Sequence, residues 1–388
     1  MAIKSYKGFD KNLRCRGFQY KIGGIYEMDG KIKMCNRGFH ACESPFDVFD
    51  YYTMIDSRFC EVEQDGNISK WDRGTKICSS KIKIKAELKL ADMINLGVEW
   101  LKEITSPEKI KTSIKDNSSG NNAQIGSSGN NAQIGSSGNN AKIGSSGDGA
   151  KIGSSGNNAQ IGSSGNNAKI GSSGYGAQIG SSGNNAQIGS SGNNAKIGSS
   201  GYGAKIGSSG YGAQIGSSGY DAKIGSSGDD AKIGSSGYDA QIGSSGYGAK
   251  IGSSGDGAQI GSSGYDAKIG SSGYGAKIGS SGYDAQIGSS GDGAQIGSSG
   301  YGAKISSSGY GAKIDSTGED CVIMCAGINS VAKASKGSWV TLSEWSYSEE
   351  KQRYIPICVK TEFVDGEKIK ADTYYSLKGG AFVEWIND

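Results

Sequence analysis

The chain has 388 residues, a formal net charge of +3 and a hydrophobic fraction of 35%. Of its 67 glycines, 52 fall between Ser118 and Asp315, so half of the chain is compositionally biased and a single large enzyme core is disfavoured. The small charge argues against nucleic acid or membrane as the main partner, no apolar run reaches the roughly 18 residues of a membrane helix, and Met1-Ala2-Ile3-Lys4-Ser5-Tyr6-Lys7 has no apolar signal core.

Residues 1–115 read as a small α+β domain. Lys31-Ile32-Lys33-Met34-Cys35 is expected to be a strand. Ser44-Pro45-Phe46-Asp47 has the signature of a helix start: a Ser N-cap, Pro at the first helical position and an acid in the first turn. Phe46, Phe49 and Tyr52 (or Tyr51) then share a face. Arg58–Glu63 and Lys81–Lys85 alternate as half-buried strands. Leu90 to Ile104 reads as an amphipathic helix, with Pro107 as its stop and Lys109-Ile110-Lys111 as a basic exit. The single histidine, His40, lies between Cys35 and Cys42. With Cys15 or Cys60 it could hold zinc, but no Cys-x-x-Cys pair exists, so a structural histidine is expected and no metal. All eight cysteines (15, 35, 42, 60, 78, 321, 325 and 358) lie outside the biased segment and read as free thiols.

From Ser118 the chain reads Ser-Ser-Gly-Asn-Asn-Ala-Gln-Ile-Gly and repeats this pattern 22 times without insertion or deletion, to Asp315. A flexible linker has no reason to keep Ala-x-Ile in register. Residues two apart on a strand face one side, so Ala and Ile point inward and the Gln or Lys between them points out. Gly-Ser-Ser-Gly is then the bend. One repeat cannot bury its own apolar pair, whereas stacked coils can, and the expected fold is a parallel β-solenoid. Two arguments disagree on coil size. Two repeats per turn, an 18-residue coil, enclose a thin core that Ala and Ile can fill, whereas the three repeats of a 27-residue coil enclose a wider one that they fill poorly. The Lys/Gln column instead matches in 12 of 19 pairs three repeats apart and in 6 of 20 two apart, favouring the larger coil. Duplication of three-repeat blocks explains that match equally well, so packing decides for the smaller one.

Two positions precede each Ala. They read Asn-Asn in early repeats and Tyr-Gly or Tyr-Asp in later ones, with 11 tyrosines in all. Tyr202, Tyr220 and Tyr238 are spaced two repeats apart, as are Tyr247, Tyr265, Tyr283 and Tyr301. On a two-repeat coil they stack as exposed ladders. Such ladders either stabilise the turns or present an aromatic face to a partner. The outward charge, 12 Lys against 10 Asp, is too mixed for a DNA mimic or a strong nucleic-acid binder.

The repeat decays at residues 316–337. Gly318-Glu319-Asp320-Cys321-Val322-Ile323 keeps the frame with Cys321 in place of Ala, and these units read as a cap. Residues 338–388 read as a β-rich domain. Ser338–Trp345 and Tyr354–Val359 are strands, Val364–Glu367 a turn and Tyr374–Trp385 a hairpin. Trp339, Trp345 and Trp385 are expected in its core or at an oligomer contact.

Asn122-Ala123-Gln124-Ile125-Gly126-Ser127 resembles the hexapeptide of left-handed β-helices, with an insertion that lengthens it to a nonapeptide. It also resembles the Ala-Ile-Gly repeats of trimeric autotransporter heads. Calcium-binding nonapeptide rolls share the period but want a fixed Asp, so no calcium is expected. Lys7-Gly8-Phe9-Asp10, Cys15-Arg16-Gly17-Phe18, Gly38-Phe39-His40-Ala41-Cys42 and Val48–Tyr52 resemble an uncharacterised domain of phage, prophage and gut-bacterial proteins, which is joined there to similar repeats. That resemblance implies a phage-type protein of the host cytoplasm or virion and no particular activity. Gly38-Phe39-His40 before a helix with Tyr51-Tyr52 also resembles ADP-ribosyltransferase folds, although the full set of three strand motifs is not visible. This second resemblance implies Glu61 or Glu63 as catalytic acid, with His40 against a nicotinamide cofactor.

The sequence carries no Ser-His-Asp pattern, phosphate loop or Rossmann fingerprint. The leading expectation is therefore non-enzymatic: a mainly β chain, with a parallel β-solenoid of 22 nonapeptides between a small α+β domain and a small β-rich domain. It would show a Tyr/Asn/Lys surface to a protein or glycan partner and need no cofactor. Self-association through the terminal domains is a further expectation. The alternative is an N-terminal enzyme domain on a solenoid stalk. Ice binding is disfavoured because the repeats lack Thr.

Overall fold

The computed structural model describes residues 2–53, 57–71, 75–104 and 115–386. The chain forms two compact units. The first is Met1–Gln214 with Lys223–Gly228, and the second is Ile215–Ala222 with Asp229–Asp388.

The first unit opens with β1 (Ile3–Phe9), β2 (Arg14–Cys15), β3 (Phe18–Gln19), β4 (Ile25–Glu27), β5 (Phe39–Cys42), β6 (Arg58–Lys70), β7 (Lys76–Leu88) and α1 (Leu90–Ile104). Strands β4, β7, β5, β1 and β6 make one antiparallel sheet, with β6 also paired to β7. Phe9, Leu13, Tyr20, Phe39, Val62, Ile82 and Ile84 form one core cluster, and Tyr6, Phe46, Phe49, Phe59 and Met93 a second. The strands over Arg58–Glu63 and Lys81–Lys85 and the helix Leu90–Ile104 are as the alternation predicts. Pro107 and Lys109–Lys111 lie outside the described residues.

Two local expectations are corrected. Lys31–Cys35 is not a strand but a turn, closed by a bridge between Lys33 and Arg37, because Cys35 takes a left-handed φ of 62°. The helix after Ser44 is one 3₁₀ turn, Phe46–Asp50, with Pro45 at its cap and no side-chain cap hydrogen bond. Asp47 is used elsewhere, as described below. Among its described residues there is a single α-helix, and the domain is mainly β rather than α+β.

Strand β8 (Lys115–Ser118) leads into the repeats, which supply one strand each, from β9 (Gln124–Ser127) to β30 (Lys313–Ser316). Within each unit they pair in parallel with the strand two repeats on. Gln133 faces Lys151 and Ile134 faces Ile152 in the first unit, and Lys232 faces Lys250 and Ile233 faces Ile251 in the second. Both units are therefore parallel β-solenoid with an 18-residue coil, and the three-repeat matching does not reflect stacking. In each unit even-numbered strands stack on even and odd on odd, as two faces of the coil. Ala and Ile of every full repeat from Ala132 onward are buried. The bend is shorter than expected. The strand runs through Gly and the first Ser, as in Gln160–Ser163, and Ser163 is buried as a third inward residue. Only Ser-Gly and the two following residues turn the chain.

Glycine at the third position of the repeat is required by stacking. A Cβ on Gly237 would collide with the Gly219 carbonyl oxygen of the coil below, and one on Gly210 with that of Gly192. By contrast, a Cβ on Gly234, which points outward from its strand, meets nothing within 4 Å.

The N-terminal domain docks on the solenoid within the first unit. Helix α1 packs on β12 (Lys151–Ser154), β14 (Lys169–Ser172), β16 (Gln187–Ser190), β18 (Lys205–Ser208) and β20 (Lys223–Ser226). Lys205 Nζ lies 2.6 Å from Asp50 Oδ2 and 3.7 Å from Asp47 Oδ1. Gln187 Nε2 donates to Asp47 Oδ1, Thr75 Oγ1 to Asp47 Oδ2, and Lys223 Nζ to the Phe49 carbonyl. Lys169 Nζ sits 4.6 Å from the Trp100 ring centre. The outward Gly207 leaves room for Phe46 and Ile94, which a Cβ there would meet at 3.0 and 3.1 Å. Burial alone would raise the Asp47 carboxyl, but Lys205, Lys169 and the two hydrogen bonds outweigh it and hold it below the usual carboxylate value.

The second unit ends with β31 (Val322–Cys325), β32 (Val331–Lys333), β33 (Trp339–Ser348), β34 (Arg353–Phe363), β35 (Tyr375–Lys378) and β36 (Ala381–Glu384). Strand β31 keeps the coil register, and Cys321 fills the Ala place with no exposure. The first half of β33 still pairs in parallel with β31, and then two antiparallel hairpins, β33–β34 and β35–β36, end the stacking. The tryptophans are not its core, which is Val340, Leu342, Val364, Ile369, Tyr375 and Leu377. Trp339 is exposed against Phe363, Trp345 Nε1 donates to the Ala326 carbonyl, and Trp385 packs edge-on to Tyr374.

Three outcomes follow from this packing. Gly237→Ala should cost about 3 kcal/mol or more by forcing adjacent coils apart, while Gly234→Ala should change stability by less than about 0.5 kcal/mol, as read from denaturant midpoints. Lys205→Met should remove the stronger of the two cations acting on Asp47, together with the partner of Asp50, and speed amide exchange in α1 at least ten-fold, whereas Lys196→Met, exposed on the other sheet, should not. Because the Asp47 value is depressed, its contribution is complete above about pH 4 and is lost as pH falls below that, so wild-type protection of α1 should drop in acid.

Candidate functional site

Two places concentrate chemistry: the turns of the solenoid and a cleft in the N-terminal domain. In the turns, the residue before each Ala has positive φ in all 22 repeats, from Asn122 at 62° to Gly311 at 63°. Only Asn, Asp and Gly occur there, the residues that tolerate the left-handed region. The residue before it points outward, and its chemistry sets the surface. As Asn or Asp it caps the next coil: Asn139 N–H donates to Asn121 Oδ1 at 3.0 Å, and Tyr247 N–H to Asp229 Oδ1 at 2.9 Å. As Tyr it projects its ring, and the 11 tyrosine rings are 47–68% exposed.

The structure brings the predicted tyrosines into ladders where they share a unit. In the second unit Tyr220 and Tyr238 stack at 5.2 Å and 9°. Tyr265 and Tyr283 lie 5.1 Å apart, and Tyr283 and Tyr301 6.2 Å, both tilted. Tyr247 belongs to the same row as Tyr265, and Tyr202 is exposed in the first unit. Several phenols are tied to the coil above. Asn194 Nδ2 donates to Tyr175 Oη, and the Tyr247 and Tyr301 hydroxyls bond Asp266 and Asp320, which raises both phenols above their ordinary value.

The cleft encloses about 960 Å³. One wall is aromatic: Phe18, Tyr20 and Tyr26, with ring centres 4.9–5.5 Å apart. Tyr51 and Tyr52 lie on its lining too, and Lys76 Nζ is 4.2 Å from the Tyr51 ring centre. Lys7, Arg16, Arg37 and Lys76 line the cleft against a single acid, Glu27, which pairs with Lys81 at 3.1 Å. Lys7 is only 5% exposed. Its ammonium donates to the His40 carbonyl at 2.8 Å and lies 3.5 Å from Cys15 Sγ, and no carboxylate among the described residues reaches it. Burial, with Lys76 nearby, pulls its pKa below the ordinary lysine value. Cys15 Sγ is 3.0 Å from the Tyr52 hydroxyl.

His40 lines this cleft and accepts the Cys35 N–H at Nε2, 3.0 Å away. Burial first, then Lys76, Lys7 and Arg16, push its pKa down to about 4, so the ring is neutral at pH 7. Glu61 and Glu63 are not brought to it: Glu61 pairs with Lys4 at 2.9 Å and Glu63 with Lys85 at 2.7 Å, and neither lines the cleft. Among the described residues no three His, Cys, Asp or Glu side chains group as metal ligands, and all eight cysteines are free thiols. No helix among these residues is long and apolar enough to cross a membrane. The sequence reading missed Lys7 and the left-handed turn position. The restriction of the latter to Asn, Asp and Gly was a visible signal. Lys7 gave none, since a lysine in an alternating strand reads as solvated.

Residues 3–96 match the family model described as "Domain of unknown function (DUF7666)". The match covers 94 of 388 residues and holds every residue of the cleft, but it stops before the repeats. Neither a curated protein nor a solved structure matches the chain.

His40 is the chain's single histidine, so its ring protons are a unique NMR probe. They should titrate near pH 4 rather than 6.5. As the folded value is depressed, the unfolded chain takes up the proton first. Stability therefore declines as pH drops from 6.5 towards 4, and His40→Gln should flatten that decline in denaturant midpoints.

Proposed function

We propose that the chain is a non-enzymatic binding scaffold whose solenoid presents rows of tyrosine, with interspersed Asn, Asp and Lys, to a protein or glycan partner. One observation carries the reading. The tyrosines recur at the coil spacing, keep about half of each ring exposed, and in part stack on one another at 5–6 Å. Rigid aromatic surface at a fixed repeat gives contact area with little ordering entropy, and many weak contacts add when the partner is itself repetitive. In the first unit the outer face of the even-numbered sheet is taken by the N-terminal domain, which leaves the turns and the odd-numbered sheet for a partner. A phage-type structural, adhesive or host-inhibiting role fits such a surface.

Replacing Tyr247, Tyr265, Tyr283 and Tyr301 together by Ser in the full chain should leave the fold intact and weaken binding at least ten-fold. Binding is read on a glycan array and by capture from bacterial lysate. Binding that survives the four substitutions, or a wild-type chain that captures nothing, removes the proposal.

A further inference from the structure

The geometry points to the N-terminal cleft as a binding site for a small anion carrying a flat ring, the chemistry of a nucleotide. This stands apart from the solenoid reading. The first support is charge: four cations and one already paired acid line a cleft of about 960 Å³. Such walls concentrate anions and repel cations. The second is Lys7. An ammonium out of water is costly unless anionic or strongly accepting groups surround it, and here it has one carbonyl, the Cys15 sulfur at 3.5 Å and the faces of Phe9 and Tyr20 at 5.5 and 5.9 Å, none of them an anion. The fold keeps this cation where Met or Leu would pack more cheaply, and a phosphate oxygen entering the cleft supplies the missing acceptor. The third is the wall of Phe18, Tyr20 and Tyr26, where Phe18 stays 50% exposed and offers a face for a planar ring. The neutral His40 adds a polar edge without adding charge.

The test uses the full chain and calorimetry with ATP, GTP, CTP and UTP, beside the matching nucleosides and inorganic triphosphate. At least one nucleotide should bind saturably, its affinity should fall as salt rises, and its nucleoside and triphosphate alone should each bind at least ten-fold more weakly. Lys7→Met should weaken binding at least ten-fold. Should that buried change unfold the domain, Arg16→Gln on the exposed rim decides instead, with an expected three- to ten-fold loss. The inference is overturned if no nucleotide binds, if inorganic triphosphate binds as well as the nucleotide, or if the nucleotide binds the folded variants as it does the wild type.

Discussion

The close approach of one coil to the next at the third residue of each repeat is the constraint on which the solenoid rests. There the backbones touch so nearly that even a methyl group has no place. Glycine at this point lets parallel strands settle at hydrogen-bonding distance, Ile falls over Ile and Ala is sealed from water. Gly-rich composition, which in a linker means freedom, here means contact. The left-handed residue two places later completes the turn, and its restriction to Asn, Asp and Gly leaves only the residue before it free to vary. The surface chemistry of the molecule is concentrated in that free position and in the Lys/Gln column.

Chemically identical repeats are not physically equivalent. Gln187 and Lys205 occupy the outward column that is exposed throughout the odd-numbered strands, yet they are 8% and 5% exposed under the N-terminal domain. Their polar ends are matched by Asp47, Asp50 and the hydrogen bonds around them, as burial of such groups demands. The glycine between Ile and Ser on the same strands gives Phe46 and Ile94 a seat. A periodic surface thus becomes a specific dock because the partner domain supplies the asymmetry.

The cleft belongs to the other kind of order in this chain, the kind made by long-range contacts. Lys7, Cys15, His40 and Tyr52 are far apart in sequence and meet through the five-stranded sheet and the 3₁₀ turn. Its electrostatics are one-sided. Burial holds His40 neutral first, and the cations that add to it, Lys76, Lys7 and Arg16, all line the cleft.

The sequence by itself determined the solenoid, its inward Ala and Ile, the strands at Arg58–Glu63 and Lys81–Lys85, the helix Leu90–Ile104 and the last hairpin, within Tyr374–Trp385. In each case the pattern is local and the alternation or periodicity is unbroken. It misjudged Lys31–Cys35 and the start at Ser44, where a left-handed Cys35 and a tertiary use for Asp47 override the local signal. Core packing favoured two repeats per coil against the residue matching, and the tertiary structure bears it out, because repeat-to-repeat likeness is the same whether it arises by stacking or by duplication. The tertiary structure alone showed which repeats are covered and that Lys7 is buried, since burial depends on residues that arrive from elsewhere in the chain.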